Sequence, residues 1–271
     1  MLRSWLCSSA LNGKLVEKSE NYNADVIHFD LEDSVPLTQK EDARNSLLKH
    51  YPIDHKLPVA IRINSLDTEE GLKDILFLTE RSLQPDIVIV PKSSIARDVP
   101  LISTYFKNSL IFSVIETIDN FFELRHLNHR PKALDGVIFG AADFAVDMDL
   151  NPQTLTNELS YIKAEISICA KRLGLHAIDS PCFSVYEHDM LQLEIEKAKK
   201  LGYTGKIALH PNQVSTINKG FSICEESKAK AQSIVSMLES NNQRSVAMDS
   251  EKMVGPPHLK YSKKILSGRI R

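Results

Sequence analysis

A TIM (β/α)8 barrel with a short C-terminal helical extension is the fold this sequence predicts, and three observations predict it. Short apolar runs of strand length recur along the 271 residues. Stretches with helical periodicity separate them. Polar residues close three of the runs in order: Arg62 in PVAIRIN, Glu116 in LIFSVIE and Asp143 just past LDGVIFG. Barrel enzymes carry their chemistry at the carboxyl ends of strands.

Taken in order, the strands are expected near 2–7, 26–31, 58–63, 86–91, 110–115, 134–139, 175–179 and 205–209. The clearest helices span 37–50, 68–82, 96–107, 155–173 and 186–201. Leu173-Gly174 and Leu201-Gly202 each precede a strand, as a C-terminal glycine cap does. The helix after Pro211 completes the barrel, which is expected to span 1–222. The extension, 223–271, holds a helix over 225–239, a polar mobile linker over 241–250, and a short terminal helix over 258–266 introduced by Gly255-Pro256-Pro257. A lid or a subunit contact is the role such an extension suggests.

Composition sets the outer limits. Apolar residues make up 42% and charged residues 25%, enough to bury a full core and far from a disordered composition. A formal net charge of −2 argues against a nucleic-acid surface. The N-terminus enters a strand at once, and no apolar run approaches the ~20 residues of a membrane helix. The expectation is a cytoplasmic protein. Cys7, Cys169, Cys182 and Cys224 form no C-x-x-C pair and no zinc-like spacing with histidine, so they read as thiols in a reducing compartment. Phosphate-loop and dinucleotide glycine patterns are lacking, as is Ser-His-Asp spacing.

Strand alternation places the polar residues. In 26–32, Ile27, Phe29 and Leu31 face the helices, and His28, Asp30 and Glu32 point into the barrel. In the third strand the isoleucines face outward, and Arg62 and Asn64 point inward. Buried polar groups need partners, so these imply a shared network, a ligand or both.

Glu116 and Asp143 are the candidate cation ligands, since a hard cation takes oxygen ligands and often only one or two protein carboxylates. The competing role for each is a helix cap. Asp147 and Asp149 are nearby substitutes. Arg62 suits bidentate binding of a substrate carboxylate; its structural alternative is an ion pair with Glu32 or Asp30. Glu32 and Asp33 either hold a metal-bound water and orient Arg62 or cap the helix that Pro36 opens. Lys92 suits an anion, whereas a Schiff-base role needs a depressed pKa that acidic neighbours oppose. His210, alone before a proline, reads as structural.

These landmarks resemble the citrate lyase beta-subunit family, the HpcH/HpaI aldolase/citrate lyase family. The resemblance rests on an ordered set over nearly the whole chain. It runs Arg3-Ser4-Trp5-Leu6, Asp30-Leu31-Glu32-Asp33-Ser34-Val35, Lys40, Ala43-Arg44, Arg62-Ile63-Asn64, Pro91-Lys92, Ile115-Glu116-Thr117 and Phe139-Gly140 leading to Asp143. Ala177-Ile178-Asp179, Gly205-Lys206 and His210-Pro211-Asn212-Gln213-Val214 complete it.

The resemblance implies a barrel of the phosphoenolpyruvate/pyruvate type in a homotrimer or hexamer. It implies Mg²⁺ on Glu116 and Asp143, Arg62 steadying substrate oxygens, and Glu32 and Asp33 as flanking acids. The implied reaction is reversible carbon–carbon cleavage of a carboxylated 3-hydroxyacyl thioester, on coenzyme A or an acyl carrier protein, into a 2-oxo acid and an acyl thioester. Malyl-, citramalyl- and citryl-CoA are the natural substrates.

Two positions depart from the family pattern. Leu6-Cys7-Ser8-Ser9 stands where L-F-V-P is common. Gly255 in Met253-Val254-Gly255 replaces an aspartate that reaches a neighbouring subunit's site in many members, and Asp249 and Glu251 are offset from it. A pyruvate aldolase acting on free oxo acids, or a non-catalytic barrel subunit of a larger complex, are the alternative readings.

Overall fold

The computed structural model describes residues 2–13, 19–51, 56–155, 157–240, 246–249 and 252–268. The chain forms two compact units, Met1–Phe221 and Ser222–Arg271.

The first unit is a closed eight-stranded barrel in which each strand pairs in parallel with the next and the first closes on the eighth. Its strands are β1 Ser4–Ser9, β2 Val26–Asp30, β3 Val59–Arg62, β4 Ile87–Val90, β5 Leu110–Ile115, β6 Leu134–Phe139, β7 His176–Asp179 and β8 Gly205–Ala208. The helices are α1 Lys40–His50, α2 Glu69–Glu80, α3 Ile95–Tyr105, α4 Ile118–His126, α5 Ala141–Asp147, α6 Ser160–Leu173, α7 His188–Leu201 and α8 Pro211–Phe221.

Two apolar layers follow from the period-2 pattern. Val26, Ala60, Ile89, Phe112, Val114, Ile138 and Ile207 fill the barrel, where Trp5 meets Phe112 edge-on with ring centroids 5.0 Å apart. Ile27, Phe29, Ile61, Ile63, Val88 and Val137 face outward against the helices. The helices answer at helical spacing, with Ala43 and Leu47, Ile75 and Leu78, Val99 and Ile102, Phe121 and Leu124, and Ile166 with Ala170. Each such buried Leu, Ile, Val or Phe side chain contributes roughly 1.5–3 kcal/mol.

The turns that open the helices are set by short polar residues. Thr68, Ser94 and Thr117 each accept a hydrogen bond from the backbone N–H three residues on. Gly174 and Gly202 end α6 and α7 with φ of 70° and 99°, the left-handed cap that glycine takes without steric cost.

The motif residues Asp179 and Lys206 have a structural role. Lys206, fully buried, reaches Asp179 and Glu194 at 2.8 Å each and the Ser180 carbonyl at 2.7 Å. Lys163 takes the other Asp179 oxygen at 2.7 Å. The cluster ties β7 and β8 to α6 and α7, and burial of both signs is tolerable only because each charge is paired.

Helices at Ile118–His126 and Ala141–Asp147 stand where the periodicity gave no clear signal, because both are short. In the second unit, α9 Glu225–Glu239 and α10 Pro256–Leu266 pack together, and β9 Ala247–Asp249 pairs antiparallel with β10 Lys252–Val254. The expected linker over 241–250 is therefore corrected at Ala247–Asp249; three-residue strands are too short to register as alternation. Residues 241–245, Ser250 and Glu251 lie outside the described residues. Asp249 sits on β9, with one carboxylate oxygen 4.0 Å from Lys230. Gly255 is the residue before α10, and its N–H donates to Nδ1 of His258 at 3.1 Å.

Candidate active site

The carboxyl ends of β2 to β6 bring the candidate residues to one mouth of the barrel. Register sets the first pair: Asp30 ends β2 directly opposite Arg62, which ends β3. Nε of Arg62 donates to Oδ1 of Asp30 and Nη2 to Oδ2, both at 2.7 Å. The Asp30 oxygens also accept from the backbone N–H of Glu32 at 2.9 Å and of Ser34 at 3.1 Å. Burial opposes the charge on Asp30, but the guanidinium wins and holds this carboxyl far below the usual range.

Past β2 the chain carries Glu32 and Asp33 over Arg62. Lys40 on α1 fixes this segment by donating to the carbonyls of Leu31 at 2.8 Å and Glu32 at 2.7 Å. Oε2 of Glu32 lies 2.9 Å from Nη1 of Arg62, yet no N–H is directed at that oxygen. Its Oε1 accepts from Nζ of Lys92 at 2.8 Å. Burial pushes the Glu32 carboxyl up, against the pull of Arg62 and Lys92. Asp33 is half-exposed, 3.4 Å from Lys92 and 3.7 Å from Arg62.

Lys92 follows β4 with φ of 47°, a left-handed conformation uncommon for a residue with a Cβ. Its N–H donates to Oε1 of Glu116 at 2.6 Å. Burial lowers the Lys92 pKa, but the bond to Glu32 raises it further, so the amine stays charged and a Schiff-base role is opposed. Glu116 immediately follows β5 and is 1% exposed. Burial, then Glu32 and Asp143, push its carboxyl up to about 8. Gly140, after β6, makes room for it: a Cβ there would come 2.5 Å from the Glu116 Cβ and 2.9 Å from Oε2.

Asp143 lies in the first turn of α5, three residues past Gly140, and makes no capping bond. Glu116 is likewise no cap, since Thr117 caps α4. Nor do Glu32 and Asp33 cap the helical turn at Leu37–Gln39, which Pro36 precedes. Asp147 accepts from the Ile118 N–H at 2.7 Å. Asn64, expected to point inward, instead donates its amide to Asp74 on α2 at 2.7 Å and to the Leu31 carbonyl at 3.0 Å. Strand alternation stops at Arg62, so it does not govern residue 64. His210 accepts from the Asn212 N–H at 3.2 Å, a loop contact.

Charge decides what this mouth can hold. Among the described residues, Asp30, Glu32, Asp33, Glu116 and Asp143 outnumber the cations close to them, Arg62, Lys92 and Lys40. The excess of negative charge, the raised Glu116 pKa and the undonated Glu32 oxygen all fit a divalent cation. Among the described residues no three His, Cys, Asp or Glu side chains form a ready-made cage. Two carboxylates plus water suit Mg²⁺ and do not suit zinc.

Sequence reasoning did not find Lys40, Gly140 or the Lys92 amide. Lys40 and Gly140 stand inside quoted motifs without an assigned task. The amide leaves no trace in residue type, because no glycine or asparagine marks the positive φ.

Residues 3–211 match the family model described as HpcH/HpaI aldolase/citrate lyase. The chain belongs to that family. Residues 156–269 also match a model described as C-C bond lyase of the TIM-barrel fold. The HpcH/HpaI relatives include citrate lyase subunit beta from Escherichia coli K12, 25% identical over 98% of this chain and 92% of that one. Another, the (3S)-malyl-CoA thioesterase of Cereibacter sphaeroides, is 27% identical over 81% of this chain and 77% of its own. Among solved structures, Mycobacterium tuberculosis CitE in complex with magnesium, acetoacetate and coenzyme A superimposes with a TM-score of 0.84. It covers 98% of this chain and 97% of its own at 22% identity, a likeness of fold. Among the described residues no helix is long and apolar enough to cross a membrane.

Proposed function

We propose that this HpcH/HpaI member is a Mg²⁺-dependent carbon–carbon lyase. It would cleave or form a carboxylated 3-hydroxyacyl thioester of the malyl-, citramalyl- or citryl-CoA class. The observation that carries the reading is the buried Glu116 carboxylate, held at one oxygen by the Lys92 amide in an acid-rich mouth, with its pKa raised by burial, Glu32 and Asp143. The names of the relatives add the thioester class.

Glu116 and Asp143 would hold the ion. When bound, Mg²⁺ supplies Lewis-acid polarisation of the oxo-acid oxygens. Arg62 keeps its guanidinium plane fixed on Asp30 through Nε and Nη2, and Nη1, which lies 2.9 Å from Glu32, would be shared with substrate oxygens and developing negative charge. Glu32, undonated at Oε2, and the half-exposed Asp33 are the carboxylates available to take or return a proton at the substrate hydroxyl. Coenzyme A or a carrier protein would present the thioester, and a homo-oligomer is the expected assembly.

The test is a mass-spectrometric assay of purified protein with Mg²⁺ and malyl-, citramalyl- and citryl-CoA, with Glu116→Ala alongside. Release of a 2-oxo acid by the parent alone supports the reading and names the substrate. A folded, Mg²⁺-binding protein that cleaves none of them counts against a CoA substrate.

A further inference from the structure

We infer that Lys92 is a positioning residue whose backbone amide, carried in a left-handed turn after β4, selects which oxygen of Glu116 faces the cation. The inference rests on the metal reading above. It differs from an anion-binding role for the lysine, because the ammonium is already engaged by Glu32 at 2.8 Å and Asp33 at 3.4 Å.

A carboxylate has two oxygens, and a buried one held by a single torsion presents either. In this barrel Oε1 of Glu116 is taken by the Lys92 N–H at 2.6 Å. Oε2 is left in the space that Gly140 keeps open. The N–H that reaches Oε1 belongs to a residue at φ of 47°, two past the end of β4, so a side chain that resists positive φ would displace the turn that carries it. A left-handed residue with a Cβ is strained and persists only where surrounding structure imposes it. Pro91 before it and the buried Ser93 after it hold that turn: Oγ of Ser93 shares a hydrogen bond with Oγ of Ser113 at 2.9 Å, and its carbonyl accepts from Asn120. The ammonium has a separate task. It fixes Oε1 of Glu32 and leaves Oε2 beside Arg62. One residue therefore sets two carboxylates through two different groups.

The two tasks separate by substitution, read by direct Mn²⁺ and Mg²⁺ binding without substrate. Lys92→Met and Lys92→Val remove the same charge, but the β-branched side chain resists positive φ. Lys92→Val is expected to bind the metal at least about tenfold more weakly than Lys92→Met, the scale of losing an outer partner of a metal ligand. Lys92→Gly keeps the amide and adopts positive φ freely, so it should match Lys92→Met within about threefold on the same scale. Equal affinities for the Val and Met variants, or about a tenfold loss in the Gly variant, would overturn the inference. Should Lys92→Val fail to fold, the β-branched Lys92→Thr takes its place against Lys92→Met, with the same two outcomes. If the parent itself binds neither ion, the metal reading falls, and this inference with it.

Discussion

Gly140 lies directly against Glu116. The 2.5 Å from a hypothetical Cβ at residue 140 to the Glu116 Cβ is closer than two carbons approach without movement. The Glu116 Cβ is fixed by the backbone just past β5, so turning the carboxylate does not relieve that contact, and the backbone at the two strand ends must shift and carry the carboxylate with it. Gly140→Ala should thus weaken Mg²⁺ binding by about ten- to a hundredfold while costing only about 1–3 kcal/mol of stability. Isothermal titration paired with urea unfolding checks both. An unchanged Mg²⁺ affinity would show that the glycine serves folding alone.

Arg62 and Asp30 form a buried two-bond pair, and its energetics are asymmetric. Arg62→Met leaves Asp30 charged and unpaired, which is expected to cost about 3 kcal/mol or more. Adding Asp30→Asn should return a large part of that stability, because the cost lies in the orphaned charge. Arg62→Lys keeps the charge and loses the parallel bonds; substrate turnover should fall by about a hundredfold or more. Urea midpoints of the single and double variants, with turnover under the assay above, measure these effects. Additive losses in the double variant would contradict the account.

The fold was legible in the sequence where strands were long enough to alternate. Ile27, Phe29 and Leu31 against His28 and Asp30 declare both faces of β2, and the glycines after Leu173 and Leu201 mark two helix ends. Legibility faded where geometry depends on backbone direction. Arg62 announces itself by type, but the turn at Lys92 and the space at Gly140 are set by neighbours distant in sequence. The β9–β10 hairpin escaped because its strands have three residues each. Asn64 was misread because alternation was carried two residues beyond the end of its strand.

Proton release should accompany metal binding. In the metal-free protein the Glu116 pKa is raised to about 8, so at neutral pH this carboxyl is mostly protonated and the ion must displace that proton. Mg²⁺ affinity is expected to rise about tenfold per pH unit up to about 8 and then level off. Titrations in buffers of different ionisation heat count the released proton. In Glu116→Gln the slope should flatten along with the loss of affinity. A pH-independent Kd in the parent would exclude Glu116 as the titrating ligand.

His28 gives the last prediction, and it concerns stability. The ring points into the barrel from β2, 4% exposed, and neither ring nitrogen has a hydrogen-bond partner. Burial lowers its pKa from 6.5 to about 3, outweighing the attraction of Asp30. The folded state therefore keeps the ring neutral where the unfolded chain takes up a proton. Stability from this group is present above pH 6.5 and is lost as pH falls toward 3, at up to roughly 1.4 kcal/mol per unit. His28→Leu fills similar space and leaves no polar atom unpaired. It should be neutral or stabilising by about 1 kcal/mol at pH 7 and should unfold at lower pH than the parent. Urea unfolding of both proteins between pH 7 and pH 4 reads the difference. If the two stability curves run parallel through that range, the ring is titrating as it does in water, and the dry, unpartnered environment assigned to it is wrong.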